Sequence, residues 1–295
     1  MSESGATEAV QPITLLNIGA HPADVFDQSG GTMAHHVARG DRVAAAILTH
    51  GARVHDAVIS DEMFRRDQVP DSDELTALMQ ERADNKAKEV RRACQALGFD
   101  ELYFLGLDDA VLLVTEEAVR QLARLIRDVR PTIVLTHFPW EGNGVTNPHA
   151  IGGQIALHAM QLASNVDPGD TNPPHKVAQV FFFGTGAASV RRDLWSARGG
   201  FTNDVFIDTT DVIDKKLASL DALESQGYGG AYARKRIEAA DGGFGSCART
   251  PYAEGFIKMN AEVHYHLPLT ERAYEQAKMS DHEMIDRASH RHGNT

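Results

Sequence analysis

Short runs of apolar residues recur through the first half of the chain, and polar or helical segments separate them. Runs of this length, apolar at successive positions, are typical of strands that are buried on both faces of a parallel sheet. The runs span residues 13–19, 42–49, 102–105 and 132–137. Strands that alternate with helices in this way predict an α/β protein with a doubly wound, mostly parallel sheet and helices on both faces.

The helices between these runs are marked by apolar residues at helical spacing and by residues that favour helix ends. The predicted helices span residues 32–39, 74–97, 115–130, 149–163 and 209–226. Asp73 and Thr115 are predicted N-caps, and Gly40 and Gly98 are predicted to end the helices that precede them. The residues Gln28–Gly31 are predicted to break the chain before the first helix.

The rest of the chain has a weaker pattern. Residues 51–73 are predicted to be an irregular loop that serves as a lid. Two further strands are predicted at 177–183 and 205–207, and residues 227–255, rich in Gly, Tyr and Ala, are predicted to fold over the site.

Neither a repeat nor a linker divides the chain. We therefore predict one domain over residues 12–265 with an elaborated C-terminal part. Residues 1–11 are predicted to be a disordered tail, and residues 266–295 a partly disordered extension.

The composition narrows the possible partners. The chain has 295 residues, with 29 basic and 41 acidic side chains and a net charge of −12. Such a charge disfavours nucleic acid and anionic membranes as partners, whereas a small anionic substrate remains compatible with a locally basic pocket. Two cysteines, and the lack of an apolar run of about 18 residues, fit a cytoplasmic protein without a membrane span. A homo-oligomer is also compatible with the sequence.

Metal-ligand side chains follow two of the predicted strands. His21 and Asp24 lie in one tight loop after the first strand, and His149 comes from the loop after the fourth. Ligands bind at the carboxyl ends of strands in open parallel sheets, so these three side chains are expected to meet. Two histidines and a carboxylate leave one coordination position open, which is typical of catalytic zinc. Manganese or iron would suit the same ligands, and a role for Asp24 as a helix cap is the simpler alternative.

The motifs around these residues resemble the LmbE-like family, which includes the PIG-L deacetylases. The resemblance begins with His21-Pro-x-Asp24 and Gly30-Gly-Thr32, includes Ser225-Gln226, and extends to Tyr252-Ala-Glu-Gly-Phe256. It covers about residues 13–257. It implies a Rossmann-like fold and a zinc ion held by His21, Asp24 and His149.

Two positions depart from the family pattern. Ala23 stands where the deacetylases carry an aspartate general base, and Thr146 stands where they carry a histidine that assists the transition state. The segment from Ala20 to Asp24, with Ala23 in it, is similar to the motif of the 4-oxalomesaconate hydratase branch, which also lacks the aspartate. Ala52, however, stands where that branch tends to carry a glutamate.

Another group must then carry protons, and imidazoles and carboxylates can do so near neutral pH. The candidate catalytic residues are His50, His55, His137 and Glu141. A second set of polar side chains is predicted to bind the substrate, and among them Lys86 stands where the family often has a substrate-binding arginine. The candidate substrate-binding residues are Arg53, Lys86, Thr146, Asn147 and Arg234.

Three hypotheses about function follow. The first is a zinc-dependent hydratase or hydrolase that activates water against a small, carboxylated intermediate of aromatic catabolism, and Ala23 motivates it. The alternative is an N-deacetylase, or another C–N hydrolase, that acts on an N-acetylated sugar or thiol conjugate. The third hypothesis is a catalytically silent metal-binding protein.

Overall fold

A computed structural model of the chain describes residues 11–68, 70–140, 145–184 and 203–289. The strands are β1 (Thr14–Gly19), β2 (Arg42–Thr49), β3 (Glu101–Leu107), β4 (Ile133–His137), β5 (Gln179–Phe183), β6 (Val205–Asp208) and β7 (Ala253–Lys258). The helices are α1 (Asp24–Arg39), α2 (Ala57–Arg65), α3 (Ser72–Leu97), α4 (Glu116–Val129), α5 (Pro148–Ala163), α6 (Ile213–Asp221), α7 (Ala231–Ala239), α8 (Asp241–Ala248), α9 (Glu271–Gln276) and α10 (Asp281–Ser289).

Seven strands form one sheet in the order β3-β2-β1-β4-β5-β7-β6. The first five strands are parallel, and β7 pairs antiparallel with both β5 and β6. The predicted α/β fold with a mostly parallel sheet is confirmed. The strand order reverses between β1 and β4, and a crevice for ligands is expected at the carboxyl ends of these two strands.

Alternate side chains of the central strands enter two separate cores. Leu15 and Ile47 belong to the core that α1, α3 and α6 cover, whereas Leu16 and Leu48 belong to the core under α4 and α5. Helices therefore cover both faces of the sheet, which explains why β1 and β2 are apolar at successive positions.

The helix ends follow the capping chemistry of the sequence. The C-cap of α3 is Gly98 in the left-handed conformation, as predicted, and the Thr115 side chain accepts a hydrogen bond from the N–H of Ala118 at the start of α4. The α3 helix begins earlier than expected, because Asp71 rather than Asp73 accepts the first N–H groups.

Two predictions about the first loops were wrong. Residues 51–73 are not irregular throughout, since α2 lies within them and the Asp56 carboxylate caps its first turn. The break expected at Gln28–Gly31 is a kink at Ser29, and α1 already begins at Asp24. The carboxylate of Glu254 accepts hydrogen bonds from the N–H groups of Gly31 and Thr32, so it caps the second part of the kinked helix.

The C-terminal half is more divided than its sequence pattern indicates. The single helix expected at 209–226 is α6 flanked by 3-10 turns at Thr210–Val212 and Glu224–Gln226. Two helices and the strand β7 lie in or next to the region 227–255. The α10 helix occupies 281–289, where a tail was expected, and residues 1–10 and 290–295 lie outside the described residues. Within the described part of the chain, every helix is too short or too polar to cross a bilayer.

Candidate metal centre and active site

The crevice between β1 and β4 brings the three predicted metal ligands together. His21 follows β1 by two residues, and Asp24 is the first residue of α1. His149 lies in the first turn of α5, where the Asn147 side chain accepts a hydrogen bond of 2.9 Å from the His149 N–H. The loops after two adjacent strands thus supply the whole set.

The three side chains lie close enough to share one cation. One ligand atom from each of His21, Asp24 and His149 lies within 4.8 Å of the other two. Asp24 Oδ2 is 3.3 Å from His21 Nδ1, and Asp24 Oδ1 is 3.5 Å from His149 Nε2. A hydrogen bond of 2.7 Å from the His21 N–H to Asp24 Oδ2 fixes the turn between the two residues.

The chemistry of this donor set fits a divalent metal ion. Both ring nitrogens of His21 are buried and have no hydrogen-bond partner within the described residues, which is costly unless another group binds them. Although burial alone raises it, the pKa of the Asp24 carboxyl is held well below its usual value by neighbouring imidazoles, that of His149 most strongly. A carboxylate that stays ionised beside two imidazoles suits zinc, and also manganese or iron.

A cavity of about 280 Å³ opens onto this cluster. The loop after β1, the first part of α2, His149 and the turn that follows α6 form its wall. The lining residues are His21, Ala23, Asp24, Val54, His55, Asp56, Ala57, Ser60, His149, Gln226 and Tyr228. None of these lining residues is a lysine or an arginine.

Both Ala23 and His55 lie in the wall of this cavity. The imidazole of His55 packs against that of His21, with ring centroids 4.0 Å apart. Its Nδ1 is 3.8 Å from Oδ2 of Asp109, whose side chain is fully buried. Burial alone raises the pKa of Asp109, but His55 and the backbone N–H groups of Val54 and Arg53 lower it well below its usual value. An ionised Asp109 therefore places a negative charge next to the His55 ring, at a distance longer than a hydrogen bond.

The other two candidate histidines lie outside the residues that line the cavity. His137 is buried next to the candidate metal ligands, where its Nε2 is 3.0 Å from Asp24 Oδ2 and its ring stacks on that of His149. His50 lies on the far side of Asp109, with its Nδ1 3.2 Å from Asp109 Oδ1. His50, Asp108 and Asp109 form a second group with metal-ligand spacing, but Arg53 and backbone N–H groups already bind the two carboxylates.

The structure places the predicted substrate-binding residues at several locations. The guanidinium of Arg53 pairs with Asp108, and that of Arg234 pairs with the half-buried Asp221. Thr146 is exposed next to Asn147, the N-cap of α5. These four residues and Lys86, which is buried beneath the cavity wall, lie outside the residues that line the cavity. Glu141 lies outside the described residues.

Several lining residues were not among the candidates. Gln226 and Tyr228 come from the turn after α6, and Asp56 and Ser60 come from α2 and its cap. The sequence contained one usable signal, since Ser225-Gln226 belongs to the family resemblance. Asp109 was also missed as a partner of His55, because the pairing depends on how the loop after β3 lies against the loop after β2.

Comparisons with known proteins agree with this fold. Residues 16–160 match the family model described as PIG-L, GlcNAc-PI de-N-acetylase. The chain is 29% identical over 266 residues to the 1D-myo-inositol 2-acetamido-2-deoxy-alpha-D-glucopyranoside deacetylase 2 of Catenulispora acidiphila, with 77% of this chain and 82% of the relative covered. It is 23% identical over 212 residues to the 4-oxalmesaconate hydratase of Pseudomonas putida, with 72% of this chain and 73% of that protein covered.

A solved structure supports the fold independently. The N,N'-diacetylchitobiose deacetylase of Pyrococcus horikoshii superposes with a TM-score of 0.66 at 20% sequence identity, and the match covers 83% of each chain. The ligand cluster at the β1–β4 crevice lies within the part of the chain that matches the family model. The chain is therefore similar to enzymes of the PIG-L family, also called LmbE-like, whose model it matches over residues 16–160.

Proposed function

We propose that this protein is a metal-dependent N-deacetylase that acts on an N-acetylated amino-sugar conjugate, with His55 as the proton carrier. The observation that carries the proposal is the position of His55, which faces the cavity beside the metal ligands and has the buried Asp109 carboxylate behind it. The similarity to a 2-acetamido sugar deacetylase over 77% of the chain supports the same reaction class.

The charge of the cavity supports an uncharged substrate. Its described lining contains two carboxylates, Asp24 and Asp56, and neither lysine nor arginine. A substrate with several carboxylates would meet no guanidinium or ammonium among these side chains, and one or more such groups usually bind carboxylates in proteins. An acetamido sugar needs hydrogen bonds instead, which Ser60, Gln226 and Tyr228 can supply.

The reaction adds water across the amide. A bound zinc ion would polarise the acetyl carbonyl and lower the pKa of water. His55 accepts the proton of the attacking water as the C–O bond forms, and it then donates that proton to the amine nitrogen as the C–N bond breaks. The negative charge of Asp109, 3.8 Å from His55 Nδ1, stabilises the imidazolium that exists between the two transfers. Acetate and a free amine are the products, so the atoms balance without another reactant.

The test is acetate release by the zinc-loaded protein from N-acetylglucosaminyl conjugates and N,N'-diacetylchitobiose. We expect equal amounts of acetate and free amine, and a loss of about 100-fold or more in kcat for His55→Ala. His158→Ala, an exposed histidine on α5, is the matched control and is expected to keep full activity. Absence of acetate from every conjugate, or full activity in His55→Ala, would contradict the proposal.

A hydratase that acts on an unsaturated 2-oxo acid is the second candidate. Ala23 favours it, since the carboxylate that deacetylases use as a base is missing here, and the Pseudomonas putida relative is a hydratase by name. Metal-dependent consumption of an unsaturated 2-oxo polycarboxylate, without acetate release from any sugar conjugate, would favour this candidate. If Ala23→Asp creates deacetylase activity that the natural protein lacks, the result points the same way.

A further inference from the structure

The inner face of α3 carries three charged side chains in one row. Arg82, Lys86 and Glu89 are four and three residues apart, so they lie on the same face of the helix. Each of them binds a segment that walls the cavity. Arg82 donates from Nε to both oxygens of Asp56 at 3.1 Å, and Glu89 accepts hydrogen bonds from Ser225.

Lys86 lies at the centre of this row and is only 1% exposed. Its Nζ donates to the carbonyl oxygen of His55 at 2.8 Å and to Ser225 Oγ at 2.9 Å, and it lies 3.2 Å from Asp56 Oδ2. Lys86 thus makes two hydrogen bonds and one ion pair with the cavity wall. Lys86 is therefore not arranged as a substrate contact, although its place in the sequence suggested that role.

The three partners of Lys86 adjoin different parts of the cavity wall. His55 itself lines the cavity, and Asp56 caps α2 through the N–H groups of Val58 and Ile59. Ser225 precedes Gln226, another lining residue. One ammonium group thus joins the loop after β2, the start of α2 and the turn after α6.

We propose that Lys86 is a positioning residue that holds two walls of the active-site cavity together, the segment 55–60 and the turn 224–226. The catalytic consequence rests on the proposed function, because it places the imidazole of His55 where a proton must move. The mechanical consequence does not, since it concerns only how often these two segments open. Both follow from a buried cation that binds both segments of the wall.

The test compares Lys86→Met with Lys88→Met, which changes an exposed lysine on the opposite face of the same helix. Hydrogen exchange, followed by mass spectrometry on the zinc-loaded full chain, reports on the two segments directly. We expect amides of residues 55–65 and 224–228 to exchange about tenfold or more faster in Lys86→Met, with β1 and β2 unchanged. Lys88→Met is expected to match the wild type.

Activity gives a second readout. A misplaced His55 predicts a fall of about 100-fold in kcat/KM for Lys86→Met, mostly in kcat, with metal content unchanged. Ser225→Ala removes one of the three Lys86 contacts and the hydrogen bond from Ser225 Oγ to Glu89. It is expected to fold more easily than Lys86→Met, and its faster exchange is expected to be confined to 224–228.

Three results would overturn the proposal. The first is unchanged hydrogen exchange of Lys86→Met in both segments. The second is an increase in exchange that is equally large in β1 and β2. The third is faster exchange in the two segments together with a wild-type kcat/KM. If Lys86→Met does not fold, unchanged exchange at 224–228 in Ser225→Ala is sufficient to overturn it. A wild type that releases no acetate would contradict the proposed function alone, and the exchange data would still decide the role of Lys86.

Discussion

Replacement of Lys216 by methionine should destabilise the protein strongly and in a pH-dependent way. Lys216 lies on α6 and is completely buried. Its Nζ is 2.8 and 3.0 Å from the two oxygens of Asp241, and 2.8 Å from Glu254 Oε1. Glu254 also caps the kinked α1 through the N–H groups of Gly31 and Thr32. The lysine therefore compensates charge where α1, α6, α8 and β7 meet.

The magnitude follows from what the substitution leaves behind. Methionine has a similar volume but no charge, so the carboxyls of Asp241 and Glu254, which are 2% and 1% exposed, lose their cation. Removal of one partner of a buried ion pair costs about 3–5 kcal/mol. Because domains are stable by about 5–15 kcal/mol, a loss of this size is a large fraction of the free energy of unfolding.

The pH dependence has a definite sign. Burial raises the pKa of Asp241 from 3.8 to about 7, although the Lys216 ammonium opposes the rise. Between these values the folded state binds more protons than the unfolded state, so the free energy of unfolding falls as the pH increases. Without Lys216 the pKa of Asp241 rises further, and the window of falling stability extends above pH 7. The difference in the free energy of unfolding between wild type and Lys216→Met, the stability deficit, should be larger at pH 8 than at about pH 5.5.

Urea unfolding at these two pH values measures the deficit for wild type, Lys216→Met and Lys215→Met. Lys215 is exposed, and its substitution is expected to change the free energy of unfolding by less than about 0.5 kcal/mol. A cost below about 1 kcal/mol for Lys216→Met at pH 8 would refute the charge argument. An equal deficit at both pH values would refute the assignment to buried carboxyls.

Three further predictions concern the site and its support. Gly31→Ala should lower the free energy of unfolding by about 1–3 kcal/mol, because the new Cβ would clash with Cγ2 of the buried Thr209 and lie 2.7 Å from its Cβ. An unchanged midpoint of urea unfolding would show that the helix shifts freely. His149→Ala should bind zinc more than about 100-fold more weakly by competition with a chelator, and unchanged affinity would exclude it as a ligand. Adding Ala23→Asp to His55→Ala should restore part of the lost activity, since it returns a carboxylate to the cavity wall. No gain in acetate release by the double variant would argue that an aspartate at this position cannot replace His55 as the proton carrier.

The central sheet was predictable because burial on both faces leaves a direct mark in the sequence. The apolar runs at 13–19 and 42–49 coincide with β1 and β2 to within one residue. The helices α1 and α3 end at the predicted glycines, Gly40 and Gly98. The α2 helix left no such mark, since only Ile59 of its nine residues is buried and no apolar stripe is required. The antiparallel strand β7 lay hidden in a region whose composition resembles a loop.

The candidate site was predictable only as far as strand ends determine it. His21, Asp24 and His149 follow strands that the sequence places in one parallel sheet, so their approach follows from topology. Which charged groups face each other could not be read in the same way. Arg234 was expected to bind the substrate, but its guanidinium pairs with Asp221, and it is Arg236 that pairs with Asp27 on α1. Such a choice depends on the rotation of α7, which the sequence pattern does not fix.

The separation of the proposed metal ligands along the chain would link metal loading to folding. His21 and Asp24 belong to the first strand–helix unit, whereas His149 arrives from more than a hundred residues later, across the point where the sheet changes its direction of growth. A nascent chain that ends before α5 holds only two of the three ligands, so it should capture the ion poorly during synthesis. An ion that binds only the folded arrangement would stabilise the contact between the two halves of the sheet. Its uptake would therefore report that the two halves have assembled.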